Sequence, residues 1–212
     1  KKVKRQIMKK EDRFPLLCLL IVAVAFVIGA LNPVYPADWL MESWLVIIFV
    51  PLLTIFHITY GKFRFSNISY FLITLFFVLH IIGSHYTYSE APIGFWISSL
   101  FNFSRNHYDR LVHFLWGFLL YIPTLDITKH FIPIKEKSKI NFFYFLIPVF
   151  FLVSAGALFE VLEWLASIIV KPEVGLAYLG TQGDIWDTQK DIILKIVGSF
   201  IMSISVYLSN KK

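Results

Sequence analysis

Three pairs of ionisable residues recur one helical turn apart: Asp109 with His113, Glu160 with Glu163, and Asp187 with Asp191. Residues spaced three or four apart project from one side of a helix, so each pair offers two groups to a common partner. Carboxylates and an imidazole on facing helices are the donors that first-row divalent metals accept, and such pairs build carboxylate-bridged centres in helical bundles. All six side chains are therefore candidate metal ligands and candidate catalytic groups. A divalent ion held there would make hydroxide from water near neutral pH or steady a phosphate oxygen. Without a metal, the same crowd of carboxyls could do acid/base chemistry, with His113 or His107 sharing the role. A third use is transport, in which these groups pass protons or a cation across a membrane.

The elements that must position these pairs are membrane helices. Of 212 residues, 57% are hydrophobic and 16% charged, which lies outside the range of ordinary soluble domains. A bilayer core of about 30 Å takes about 20 apolar residues in a helix. Six stretches meet that demand: 16–31, 39–60, 68–83, 108–125, 141–170 and 188–209. The expected fold class is all-α, a polytopic membrane protein of about six helices forming one transmembrane domain over residues 1–212. The shorter apolar piece "IGFWISSLF" suits an interfacial helix rather than a crossing. Helices are required because an open sheet would leave backbone groups unpaired in hydrocarbon. Small residues such as Gly156 in the fifth span and Gly198 and Ser199 in the sixth would let backbones approach closely.

Charge orients the bundle. Residues 1–13 carry Lys1, Lys2, Lys4, Arg5, Lys9, Lys10 and Arg13, a basic N-terminus expected in the cytoplasm, where it also meets anionic lipid. Lys62 and Arg64, then Lys129, Lys135, Lys137 and Lys139, then Lys211 and Lys212 fall on the same side, so both termini are expected to be cytoplasmic. No small-x-small cleavage pattern follows the first apolar run, which reads as a retained anchor. The lone Cys18 provides no disulfide framework within one chain. The basic balance is explained by orientation, so nucleic acid is not an expected partner; membrane lipid is. Walker loops, nucleotide-binding glycine fingerprints, His-Glu-x-x-His and nucleophile elbows are all absent from the sequence.

With this topology, "HIIGSHYTYSE", "RNHYDRLVHF", "FEVLEW" and "GDIWDTQKD" all bring their polar residues to the outer side of the bilayer. Arg105, Arg110, His85 and Tyr86 are candidate substrate-binding groups beside the six, suited to an anion at the interface. Simpler roles compete at several positions. His57 and His130 suit interfacial or solvated sites, Asp184 a turn or helix cap, and Glu42 either a helix end or the edge of the cavity.

"GSHYTYSEAP", "NHYDRLVHF", "FEVLEW" and "GTQGDIWDTQKD" resemble the YjdF-like family of bacterial inner-membrane proteins, over nearly the whole chain. The last three spans are also similar to VanZ-like membrane proteins, through Asp109-Arg110-Leu111-Val112-His113-Phe114, the Glu160 to Glu163 element, and Asp191, Lys195 and Gly198. That second resemblance implies an envelope or lipid context. Two positions depart from it: Glu163 stands for a neutral amide and Lys195 for an asparagine, and Lys195, four residues from Asp191, could pair with it. The reading favoured is an inner-membrane enzyme acting on a lipid or lipid-linked anion, with a divalent metal as its candidate cofactor. A coupled transporter and a non-catalytic protein with a structural polar network are the alternatives.

Overall fold

The computed structural model describes residues 10–59, 63–134 and 141–211. A single 3-10 turn (Lys10–Asp12) leads into α1 (Arg13–Gly29), followed by α2 (Pro36–Glu42), α3 (Trp44–Thr59), α4 (Asn67–His85), α5 (Pro92–Phe101), α6 (Tyr108–Phe131), α7 (Phe142–Ile169), α8 (Pro172–Leu179) and α9 (Asp187–Asn210). Six helices are long and apolar enough to cross a membrane, with α2 and α3 joined as the second. The all-α polytopic fold class follows. Most of the basic N-terminus, and Lys62, Lys135, Lys137, Lys139 and Lys212, lie outside the described residues.

Local chemistry sets the helix boundaries. Pro36, Pro92 and Pro172 open α2, α5 and α8, where a missing N–H costs nothing. The Ser66 hydroxyl accepts from the Ser69 N–H and the Asn141 carbonyl from the Tyr144 N–H, capping α4 and α7. Asn102 takes a left-handed conformation to end α5. The fourth span runs to Phe131 rather than to residue 125. Asp126, which limits the apolar run, instead accepts hydrogen bonds from Ser66 and Ser69 at the start of α4.

The centre of the bundle is the α6–α9 pair, whose two helices begin at the same end and run parallel. Gly117 lies against the backbone of α9 at Lys195 and Ser199, and Gly198 lies against the backbone of α6 at Phe114 and Phe118. A methyl group at either position would overlap main chain, so both glycines are required by close approach. Helix α7 packs on both α6 and α9, α4 on α6, and α1 on α4. Trp116 Nε1 donates to the Leu152 carbonyl at 3.1 Å, and Tyr121 and Ser203 both donate to the Phe145 carbonyl, joining α6, α7 and α9. Large apolar side chains such as Val27, Ile58, Phe150 and Ile169 point outward, as they must when the surrounding solvent is hydrocarbon.

Candidate functional site

The glycine contact fixes what lies one turn above it. His113 is four residues before Gly117 on α6, while Lys195 and Asp191 lie three and seven before Gly198 on α9. Their side chains therefore meet at the end of the bundle where α6 and α9 begin. Here a cavity of about 30 Å³ is lined by Glu42, Asp109, His113, Glu160, Glu163, Asp187 and Asp191, closed by Tyr88, Phe159 and Tyr178. A space of that size holds a water or an ion and no larger ligand.

Within it, Asp109, His113 and Asp191 form the tightest group, each offering one ligand atom within 4.8 Å of the others. His113 Nε2 is 3.0 Å from Asp109 Oδ1, and its Nδ1 is 3.8 Å from Glu160 Oε1. Asp191 is 3% exposed, and its Oδ1 is buried with no hydrogen-bond partner. An unpartnered carboxylate oxygen in a dry site is costly unless something positive comes to it.

Not all six predicted ligands share that setting. Glu160 makes an ion pair with Lys195 of α9, and the Lys195 ammonium also donates to the Gly156 carbonyl at 3.3 Å. Lys195 is 1% exposed and stands 5.6 Å above the Phe159 ring. The expected partner of Lys195 was Asp191. The pair forms across helices instead, because Gly156 leaves room on α7 for the lysine stem. Asp187 is likewise engaged: Arg105 Nη1 donates to its Oδ1 at 2.7 Å and Arg110 Nη2 at 3.3 Å.

Those two arginines also hold Asp184, which pairs with Arg110, lies 3.4 Å from Arg105 and accepts from Lys190 Nζ at 2.5 Å. Lys190, the Trp186 N–H and Arg110 together hold the Asp184 carboxyl down at about 2. Arg105 and Arg110, expected to bind substrate, thus sit at the cavity's rim in a charge network of five residues with Asp184, Asp187 and Lys190. Their capacity is not used up, since Arg105 Nε and Nη2 and Arg110 Nε are buried without acceptors. Burial, helped by Arg110 and Arg105, pushes the neighbouring His107 imidazole below its usual value.

The rim is braced by a two-way clamp in which the Asn106 N–H donates to Gln182 Oε1 at 3.0 Å and Gln182 Nε2 donates to the Asn106 carbonyl at 2.9 Å. His85 and Tyr86, the other candidate substrate-binding residues, do not line the cavity. His85 Nδ1 lies 2.9 Å from the Gly29 carbonyl, tying α4 to the end of α1, and its ring packs edge-on against Tyr86.

Several cavity residues carried little sequence signal. Glu42 belongs to the cavity wall, and the Glu42 carbonyl lies 3.2 Å from Nε2 of the buried His80, whose Nδ1 contacts the Tyr88 hydroxyl at 2.5 Å. Tyr178 comes from α8, whose eight residues are too few for a span. Burial raises both the Tyr88 and Tyr178 phenols well above the ordinary value, so they stay protonated donors beside the carboxylates. Depth already placed Glu42 at a helix end or the edge of the cavity, and the same signal could have found His80, five residues before the end of α4.

Six membrane-length helices closed over a buried acidic cavity define a polytopic α-helical membrane protein. A match to the family described as predicted membrane protein (DUF2238) spans residues 14–212, and the chain belongs to that family. It is also similar to the inner membrane protein YjdF of Escherichia coli (strain K12), 31% identical over 161 residues that cover 76% of this chain and 73% of that protein. No solved structure matches the chain.

Proposed function

We propose that the protein is a single-domain inner-membrane enzyme, with both termini in the cytoplasm, that holds a divalent metal between Asp109, His113 and Asp191. It would act on a phosphate-bearing lipid headgroup at the outer face of the bilayer. The observation that carries this reading is the buried, unpartnered Asp191 Oδ1 within ligand reach of Asp109 and His113. Charge supports it. Six carboxyl side chains line the cavity; Glu160 and Asp187 are neutralised by Lys195 and the arginines, which leaves four, Glu42, Asp109, Glu163 and Asp191, beside one imidazole. Once deprotonated, that set would accept a cation, and mixed carboxylate and imidazole donors suit Mn(II) or Zn(II).

When bound, the ion would supply an activated water and an acceptor for developing phosphate charge. The cavity is too small for a headgroup, so the phosphate would rest on the rim, against the unused N–H donors of Arg105 and Arg110. Glu163, which lines the cavity outside that ligand set, would take the proton from the attacking water and return it to the departing alkoxide. The test is release of inorganic phosphate from a lipid phosphate monoester in vesicles, with Mn(II) or Zn(II) supplied. His113→Ala should abolish release while still inserting and folding, and undiminished turnover in that variant defeats the proposal.

A second reading, cation-coupled transport, draws on four buried hydroxyls farther along the central helices, Thr124 and Thr128 on α6 and Ser199 and Ser203 on α9. Each already donates to a backbone carbonyl. Uptake of Mn(II) into proteoliposomes without phosphate release would favour transport over the enzyme.

A further inference from the structure

A second, larger cavity lies elsewhere among the described residues. At the end of the bundle that carries the termini, a groove of about 620 Å³ runs between α1, α3 and α4. Its walls are apolar, formed by Leu19 and Val22, Val50 and Leu53, and Ile73 and Phe77. Its mouth is polar. There Arg64 pairs with Asp12, Asp12 lies 3.4 Å from His57 Nε2, and His57 Nδ1 contacts the Tyr70 hydroxyl at 2.6 Å. An apolar body closed by a few convergent polar groups, at several hundred cubic ångström, is the form of a ligand site.

We propose that this groove binds one acyl chain of a phospholipid, with a zwitterionic phosphate–ammonium headgroup at the Asp12–Arg64 mouth. The size and the apolar walls fit a hydrocarbon chain. The headgroup follows from charge complementarity. A phosphate would meet the Arg64 guanidinium, while the Asp12 carboxylate beside it would repel a purely anionic headgroup and attract an ammonium. The Tyr70 and His57 polar atoms supply further contacts to the phosphate or glycerol oxygens. The site lies at the opposite end of the bundle from the acidic cavity and stands independently of it.

The experiment reconstitutes the full chain in vesicles made of equal parts phosphatidylethanolamine and phosphatidylglycerol, extracts it in mild detergent, and weighs the retained phospholipid by mass spectrometry. The expected result is a stoichiometric phosphatidylethanolamine enriched about tenfold over the bulk ratio, a difference corresponding to about 1.4 kcal/mol. Leu53→Trp, which fills the groove, should lose it, while Ile55→Trp, on the exposed side of the same helix, should keep it. Val50→Phe serves the same purpose if Leu53→Trp fails to elute as a folded species. Retention at the bulk ratio, equal retention of phosphatidylglycerol, or undiminished retention in a folded groove-filling variant would each overturn the proposal.

Discussion

Replacing Lys195 with Met keeps the length and volume of the stem and removes its charge. In the folded protein this leaves Glu160, itself 7% exposed, beside the five other carboxyl groups of the cavity without its paired ammonium, and orphans the Gly156 carbonyl from that donor. Breaking a buried pair from one side costs about 3–5 kcal/mol, because the remaining charge is desolvated and uncompensated. Lost attraction to the Phe159 face adds about 0.5–1 kcal/mol. Most of this cost belongs to the abandoned partner rather than to the pair, so Lys195→Met/Glu160→Met should regain most of the loss. The assay is reversible unfolding of purified wild type, both single variants and the double variant in mixed micelles of mild detergent and dodecyl sulfate. A Lys195→Met protein within about 1 kcal/mol of wild type, or a double variant at the sum of the singles, would refute the argument that the two charges compensate each other inside the bundle.

Other consequences can be checked more simply. Gly117→Leu should prevent α6 and α9 from meeting and abolish the folded, protease-resistant species in membranes, whereas Gly180→Ala, with open space around it but φ of +58°, should only mildly strain the loop before α9. Tyr88→Phe removes the partner of a buried imidazole nitrogen and should cost about 1–3 kcal/mol in the same unfolding assay. Because the Asp184 carboxyl is held low, at about 2, its contribution to anchoring residues 181–186 is present above the ordinary carboxylate range and lost as pH falls through that value. Protection from hydrogen exchange in this loop, taken relative to the intrinsic rate at each pH, should therefore stay high at pH 5 and fall toward pH 2, and Asp184→Asn should show low protection at neutral pH.

The fold was legible in the sequence because hydrocarbon permits few solutions. Long apolar runs must be helices, and their number and approximate bounds follow from length alone. The pairs Asp109/His113 and Asp187/Asp191 were visible because a turn's spacing places both members on one face. Which of the six would share one point was not visible, since it depends on the α6–α9 register set by Gly117 against Lys195 and Gly198 against Phe114. That register brings Asp191 to His113 and sends Lys195 across to Glu160. Spacing within α9 alone had suggested Asp191 for the lysine. The arginine rim was hidden for the same reason, because Arg105 and Arg110 precede Asp184 and Asp187 by more than seventy residues and meet them only when α6 and α9 start side by side. Helix α8 escaped notice because eight residues with one acidic group carry no spanning signal, yet Tyr178 on it helps close the cavity.

Metal occupancy is the quantity on which the account turns. Wild-type protein and an Asp109→Asn/Asp191→Asn variant, each equilibrated with Mn(II) and with Zn(II) and then freed of unbound ions, would be measured by elemental mass spectrometry per mole of chain. Near-stoichiometric metal is expected in the wild type, falling as the buffer is acidified because protons compete for the same donors, with loss of that metal in a variant that still elutes as the folded protein. Wild-type protein without bound metal, or equal metal in the two proteins, would contradict it.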